Sequence, residues 1–321
     1  MLPVLALFIV RFRGGISMAF LNRLKEDIIK HKYKYLIVLP VIIYMILFCY
    51  KPMYGILIAF QKYRPTQGGI LDGRWVRFQQ FSRFFNDIYF WRVFKNTLSI
   101  SFYDILFSFP SAIMLALLLN EVKVGWFKRS VQTVSYLPHF ISMVVICGLI
   151  REFTLTDGLI NDIIVLFGGE RDSLLSRKEL YYPIYIISGI WQTVGWNSII
   201  YLAALAGIDQ EQYEAAKIDG ASRLQQMWYI TLPGILPTIS TMLVLRLGRV
   251  LSIGYEKTLL IYQPLTYEVA DIISTYSYRK GLIDADYSYS TAIGLFNSVI
   301  NIIFLVASNK ISKKMGQSGL F

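Results

Sequence analysis

Six long apolar stretches dominate this sequence. They cover residues 35–54, 96–119, 131–149, 183–205, 233–254 and 289–308. A helix needs about 20 mostly apolar residues to cross a bilayer core about 30 Å thick, and it satisfies its own backbone groups in lipid. The stretches therefore predict an all-α integral membrane protein with six transmembrane helices and both termini on one side.

The composition agrees with a membrane location. Hydrophobic residues make up 55% of the 321 residues and charged residues 17%, against roughly 45–50% and about 25% in soluble chains. The net charge of +11 favours loops that face anionic lipid over a nucleic-acid surface. It does not give the orientation, because the two predicted sides carry 15 and 14 lysines and arginines.

Few residues in this chain are suited to metal or ATP chemistry. The two histidines, His31 and His139, and the two cysteines, Cys49 and Cys147, are too few for a disulfide scaffold or a Cys/His zinc site. No Gly-Lys dipeptide occurs, so the phosphate loop of P-loop ATPases is absent. We therefore expect a non-catalytic chain without a metal or cofactor of its own.

The predicted spans divide the chain into three parts. Residues 1–34 form a basic segment, residues 35–308 the transmembrane domain and residues 309–321 a tail. The dense basic cluster before the first span favours a cytoplasmic N-terminus. Met1–Val10 is apolar but too short to span, and no small-residue cleavage site follows it, so we do not expect a signal peptide. Translation from Met1 and from Met18 both remain open.

The segment 209–233 predicts two short helices separated by a bend. Asp209 is a suitable N-cap for the first helix, and Gln212 completes a capping-box pattern. Gly220 is expected to end that helix, because glycine adopts the left-handed conformation at little cost. Ser222 and Gln225 repeat the capping pattern at the start of the second helix.

Leu232-Pro233 is expected to stop the second helix, with Pro233 in the first turn of the next span. A bent pair of helices on the membrane surface suits the docking of another protein. Helix physics alone leaves a second interpretation open, an ordinary amphipathic surface helix.

This segment resembles a known motif. The positions that match the EAA loop of ABC importer permeases are Glu214, Ala215, Ala216, Gly220, Ile230, Leu232 and Pro233. The resemblance extends over nearly the whole chain to the carbohydrate branch of these permeases, the maltose-permease-like group, and within it to the polysaccharide-transporter type. The matching stretches are residues 52–56, 89–97, 189–197, 270–278 and 285–294.

The resemblance implies a type I ABC importer permease of MetI-like architecture in a bacterial plasma membrane. The EAA loop would be cytoplasmic and would dock in a cleft of the ATPase, where Glu214 would meet a basic residue and Ala215 would allow close approach. The coupling residues carried over in this way are Glu214, Ala215, Ala216, Asp219, Gly220, Leu232 and Pro233. A bulky residue at Ala215 or Gly220 should uncouple transport without unfolding the spans.

The resemblance also implies partners. These are a second, homologous permease that forms a heterodimer, an ATPase dimer that binds ATP and magnesium, an extracytoplasmic sugar-binding lipoprotein and an oligosaccharide. The binding protein would contact the outer segments 55–95 and 158–182, and residues 158–168 predict a short amphipathic helix there.

Three charged residues stand out within the predicted spans. Arg246 and Arg249 are three residues apart and would share one face of the fifth span, and Asp104 lies in the second. At about 1.5 Å per residue all three lie at similar depth in the outer half of the membrane. They form either a structural Arg–Asp bridge or a site that favours an anionic sugar, such as a pectin or alginate fragment, because guanidinium groups bind carboxylates in bidentate fashion.

Aromatic and amide side chains in the spans suit a sugar path. Stacking candidates are Trp191, Trp196, Tyr136 and Tyr201, and hydrogen-bonding candidates are Gln192, Asn197 and Asn297. Trp191 and Trp196 lie on different helical faces, so at most one should line the path. Tyrosine and tryptophan are also common at membrane interfaces, and this explains most of the others. His139 follows Pro138 and is interpreted as a helix-break residue.

Two other function classes are alternatives to the permease. An ion-coupled secondary transporter of small solutes would need titrating charges in the spans and would have no use for an EAA loop. A membrane-embedded enzyme would need paired carboxylates, metal ligands or a nucleophile with its base, and the predicted spans contain none of these.

Overall fold

The computed structural model describes residue 27 and residues 29–252, 254–316 and 319–320. The start at Met1 or Met18 and most of the basic segment 1–34 lie outside these residues. The chain divides into two compact units, Met1–Leu57 and Ile58–Phe321, which are treated separately below.

The first unit is built on one long apolar helix, α1 (Lys32–Phe60), whose last residues extend into the second unit. None of its most apolar 18-residue window is buried. Pro40 lies within the helix, and a π-helical turn, Met45–Tyr50, precedes Pro52. A helix that is apolar around its whole circumference fits burial in lipid or against another membrane chain.

The second unit is almost entirely helical. A short hairpin, β1 (Gln61–Lys62) and β2 (Arg74–Trp75), pairs Gln61 with Trp75 in antiparallel register. The helices that follow are α2 (Gln79–Phe85), α3 (Phe90–Glu121), α4 (Gly125–Tyr136), α5 (Met143–Thr154), α6 (Leu159–Leu166), α7 (Lys178–Leu205), α8 (Gln210–Ile218), α9 (Arg223–Leu247), α10 (Tyr255–Ile261), α11 (Tyr267–Ala270), α12 (Ile273–Tyr278) and α13 (Tyr287–Lys314). The predicted surface helix at 158–168 is confirmed as α6.

Each of the six predicted spans overlaps a helix. Within the described residues, α1, α3, α9 and α13 are long and apolar enough to cross a membrane, and the bent segment Gly125–Leu166 would be a fifth if it forms one span. α7 has 28 residues and is therefore about 42 Å long. Polar residues such as Gln192 and Asn197 lower its hydropathy. The all-α membrane architecture is therefore confirmed.

The third predicted span, 131–149, is not one straight helix. Its two parts, Gly125–Phe140 and Met143–Leu166, meet at an angle of 99°. Pro138 lies in a 3₁₀ turn, Leu137–Phe140, where its missing N–H and its ring interrupt the α-helical hydrogen bonds. Ser142 is extended and caps α5 by accepting a hydrogen bond from the backbone N–H of Val145 at 3.4 Å.

The predicted stop at Leu232-Pro233 is wrong. The second loop helix and the fifth span form one continuous helix, α9. A π-helical turn, Met227–Thr231, ends two residues before Pro233. Such a turn shifts the backbone hydrogen-bond pattern and so accommodates the missing N–H of the proline. α9 also ends earlier than predicted, at Leu247, so Arg249 lies beyond the helix and does not share a helical face with Arg246.

Three buried clusters form the core of this unit, and α3 contributes to all of them. Phe90 and Val93 pack with α2, α12 and α13, and Ile100 packs with α5, α7 and α10. Ala112 and Ala116 pack with α7 and α9. α3 therefore fixes the neighbouring helices around its midpoint, where Asp104 and Ser108 bound a π-helical turn.

Candidate functional site

The 209–233 loop begins with a capped helix. The side chain of Asp209 accepts a hydrogen bond from the backbone N–H of Glu211 at 3.0 Å. The expected return bond from Gln212 does not occur among the described residues, and its side chain is exposed. One side-chain cap is therefore enough to start α8 here.

The end of α8 forms the bend that the sequence predicts. Gly220 has φ +78°, in the left-handed region. The N–H of Ala221 donates to the carbonyl of Ala216 at 2.8 Å, and that of Gly220 donates to the carbonyl of Lys217 at 3.1 Å. This pair of bonds is a Schellman motif, which needs a left-handed residue at its turn.

The second helix of the loop begins with the capping pattern that the sequence predicts. The backbone N–H of Ser222 donates to the side chain of Gln225 at 2.7 Å, and the Ser222 hydroxyl accepts from the N–H of Gln225 at 3.4 Å. The Tyr213 hydroxyl lies 3.0 Å from that of Thr231, and this contact joins α8 to α9.

The predicted coupling residues lie mainly on the exposed side of this loop. Glu214, Ala215, Asp219, Gly220 and Pro233 are exposed, while Ala216 and Leu232 are half-buried. Glu214 makes no ion pair with any residue that the structure describes. Anchored through Tyr213, α8 thus presents an unpaired carboxylate and a small-residue surface.

The second candidate region is centred on an ion pair between α3 and α9. Arg246 donates from Nε to Asp104 Oδ2 at 2.8 Å, and its Nη2 also contacts this oxygen. Asp104 is 9% exposed, so the pair is largely shielded from solvent. Both bonds use one carboxylate oxygen, and Nη1 of Arg246 has no hydrogen-bond partner among the described residues.

A cavity of about 230 Å³ lies beside this ion pair. We refer to it as the Arg246 cavity. Its lining combines one cation with aromatic, aliphatic and hydrogen-bonding side chains: Ser108, Phe109, Ala112, Trp196, Asn197, Ile200, Tyr201, Met242 and Arg246. α7 therefore contributes an indole and an amide to this space, α9 contributes a guanidinium, and α3 contributes Ser108, Phe109 and Ala112.

The other predicted path residues do not line this cavity. Trp191 contributes to two separate apolar grooves, and Gln192 is buried. Tyr136 is half-buried at the end of α4, and Asn297 donates to the Ser252 hydroxyl at 3.3 Å. Arg249 is exposed and has no ion-pair partner in the described part of the chain. Trp196 therefore lines the cavity, and Trp191 does not.

Lys257, in α10, is a buried cation. It is 5% exposed, and its Nζ donates to the carbonyl of Tyr185 at 2.7 Å and lies over the Tyr185 ring. Burial lowers the pKa of Lys257 to about 8, and the charge of Asp104 partly opposes this shift. Its burial depends on the packing of α10 against α7, which leaves no periodic pattern in the sequence, so the sequence could not predict it.

Comparisons with known proteins assign this chain to a family. Residues 98–317 match the family described as the binding-protein-dependent transport system inner membrane component. The polygalacturonan/rhamnogalacturonan transport system permease protein YteP of Bacillus subtilis is 45% identical over 94% of each chain. Protein LplB of the same organism is 44% identical over 96% of each chain.

A solved structure resembles the chain at similar identity. It is the crystal structure of a bacterial alginate ABC transporter in complex with an alginate pentasaccharide-bound periplasmic protein. One of its chains is 42% identical, with a TM-score of 0.86 over 93% of this chain and 100% of that chain. The chain therefore belongs to the binding-protein-dependent transport system inner membrane components, the multi-pass permease subunits of ABC importers.

Proposed function

We propose that this permease carries acidic oligosaccharides, such as fragments of pectin or alginate, into the cell. The observation that carries the proposal is the Arg246 cavity, in which Asp104 orients the guanidinium while Nη1 has no hydrogen-bond partner in the described part of the chain. A carboxylate of the cargo would accept charge-assisted hydrogen bonds there, worth about 1.5–3 kcal/mol. YteP is named as a polygalacturonan/rhamnogalacturonan permease and the similar solved structure as an alginate transporter, and these polymers contain uronic acids.

The local charge supports an anionic cargo. Arg246 and Asp104 neutralise each other, while Lys257 adds a buried positive charge near Asp104. With its pKa at about 8, Lys257 is mostly protonated at neutral pH. Lys257 does not line the cavity, so the attraction of an anion there rests on the Arg246 guanidinium, and low dielectric strengthens this attraction relative to water.

Coupling to ATP hydrolysis is assigned to the 209–233 loop. Glu214 is exposed and unpaired among the described residues, so it is free to meet a basic residue of the ATPase. The complete transporter would contain a second permease in a heterodimer, an ATPase dimer with its ATP and magnesium, and an extracytoplasmic sugar-binding lipoprotein. This chain would supply the path and the docking loop, without catalysis of its own.

Competitive uptake into vesicles that contain the assembled transporter tests this function. Galacturonate oligosaccharides compete with the same oligosaccharides after chemical reduction of their carboxyl groups, with and without ATP inside. We expect uptake that depends on ATP and prefers the acidic sugar. Uptake driven by an ion gradient alone would instead indicate a secondary transporter, and a preference for the reduced sugar would refute the acidic cargo.

A further inference from the structure

The bend in the third predicted span reaches the Arg246 cavity, where the ring of His139 stacks on that of Trp196. His139, in the 3₁₀ turn between α4 and α5, lies parallel to Trp196 of α7, with ring centroids 4.4 Å apart and an interplanar angle of 5°. Phe140 meets the same indole nearly edge-on, at 5.5 Å and 84°. Two consecutive residues of the break therefore fix the orientation of the indole ring.

The packing of α4 against α7 holds these rings in register. Gly195 is buried, and a Cβ at this position would collide with the backbone carbonyl of Ser135. The absence of a side chain thus allows α4 to approach α7 one residue before Trp196. From there the chain reaches the break at Pro138 within one turn, and the break turns His139 onto the indole.

The stacked indole remains available to a ligand. Trp196 is 42% exposed although His139 covers part of it, and it lines the cavity together with Asn197 and Arg246. The cavity, at about 230 Å³, is smaller than the roughly 300–1,000 Å³ of sites that enclose whole drug-sized ligands. It therefore accommodates a short part of an oligosaccharide at a time.

We infer that His139 is a positioning residue that holds Trp196 as the stacking platform for a pyranose ring of the cargo. A hexuronate combines an apolar ring face with a carboxylate on the same ring, which matches an indole and a guanidinium in one cavity. The specificity of the site would then combine ring shape, read by Trp196, with charge, read by Arg246. This inference rests on the proposed carbohydrate cargo and adds the element that orients its ring.

A double-mutant cycle on His139 and Trp196 tests the inference in the assembled transporter. The measured quantity is the rate of galacturonate-oligosaccharide uptake at saturating binding protein and sugar. His139→Leu, which has no ring, should lower this rate about fivefold, as the loss of an aromatic pair predicts. His139→Phe should stay within about twofold of the wild type, because it keeps a ring. A residue that only fills space would accept leucine as well as phenylalanine.

The cycle separates positioning from general packing. If His139 acts through the indole, His139→Leu should have no further effect in a Trp196→Leu background. Additive losses, or equal rates for the leucine and phenylalanine variants, would overturn the inference. If His139→Leu does not accumulate in the membrane, His139→Gln serves as the flat variant without an aromatic ring. Should the transporter prefer neutral sugars, the acidic-cargo proposal fails, and the same cycle with the preferred sugar still decides the role of His139.

Discussion

The 209–233 loop and the Arg246 cavity obtain their geometry from contacts at different sequence distances. In the loop, the caps and the bend depend on hydrogen bonds between residues two to five positions apart, as between Asp209 and Glu211 or Ala221 and Ala216. In the cavity, the central ion pair joins Asp104 and Arg246, which are 142 positions apart.

The two regions also differ in burial, so substitutions in them should affect transport and folding stability differently. Glu214 is exposed and takes part in no ion pair of the described chain, so it can be replaced with little cost to folding. Asp104 is shielded and neutralises a guanidinium, so its loss should affect folding as well as cargo. Substitutions in the two regions therefore provide direct tests of this distinction.

The largest expected effect on uptake comes from Glu214→Ala. If Glu214 pairs with a basic residue of the ATPase in a partly desolvated contact, truncation costs about 2–5 kcal/mol and reduces uptake at least about thirtyfold. Thermal stability of the purified permease should not change, because the side chain makes no ion pair in the described chain.

Glu211→Ala is the matched control for this prediction. Glu211 is also acidic and exposed on α8, but it is not part of the EAA match. It should retain most uptake. Normal uptake by Glu214→Ala, or an equal loss in both variants, would remove the coupling role from Glu214.

The second prediction concerns stability and the ion pair. Asp104→Asn leaves Arg246 without its countercharge, which should lower the free energy of unfolding by about 2 kcal/mol. This is below the range for a fully buried pair because Arg246 is partly exposed. Thermal denaturation of the purified permease measures this loss. Adding Arg246→Gln should recover most of it, and a double variant as unstable as the sum of both single variants would contradict the account.

The loop could be predicted from the sequence because its geometry is local. Asp209, Ser222 with Gln225, and Gly220 all act within a few residues of their own positions. The prediction failed at Pro233. A proline there was expected to stop the helix, but the helix continues into the apolar span because a π-helical turn, Met227–Thr231, precedes the proline.

The cavity could be predicted only in part. The charges in apolar spans identified Asp104 and two arginines as candidates. Which arginine pairs with Asp104 depends on the end of α9 at Leu247, which places Arg249 outside the helix. His139 was recognised as part of a helix break, while its stacking on Trp196 depends on how α4 packs against α7. Such contacts depend on the packing of distant helices and leave no pattern in one segment.

The smallest expected effect concerns the bend. Gly220 has open space around its Cα but a left-handed backbone, so Gly220→Ala should cost about 1–2 kcal/mol from conformation alone. We expect uptake to fall about fivefold or more. Gly220→Asn should lose less, because asparagine tolerates this conformation better. An alanine variant with wild-type uptake would show that coupling does not need the bend.

The measurement that tests the account most directly is the ratio of acidic to carboxyl-reduced oligosaccharide uptake in arginine variants. The double variant Arg246→Gln with Asp104→Asn removes the cationic side chain without leaving a charge unpaired, and Arg249→Gln removes the exposed arginine as a control. We expect the ratio to fall at least about tenfold in the double variant and to change less than about twofold in Arg249→Gln. An unchanged ratio in the double variant, or equal changes in both, would contradict the assignment of cargo selectivity to the Arg246 cavity.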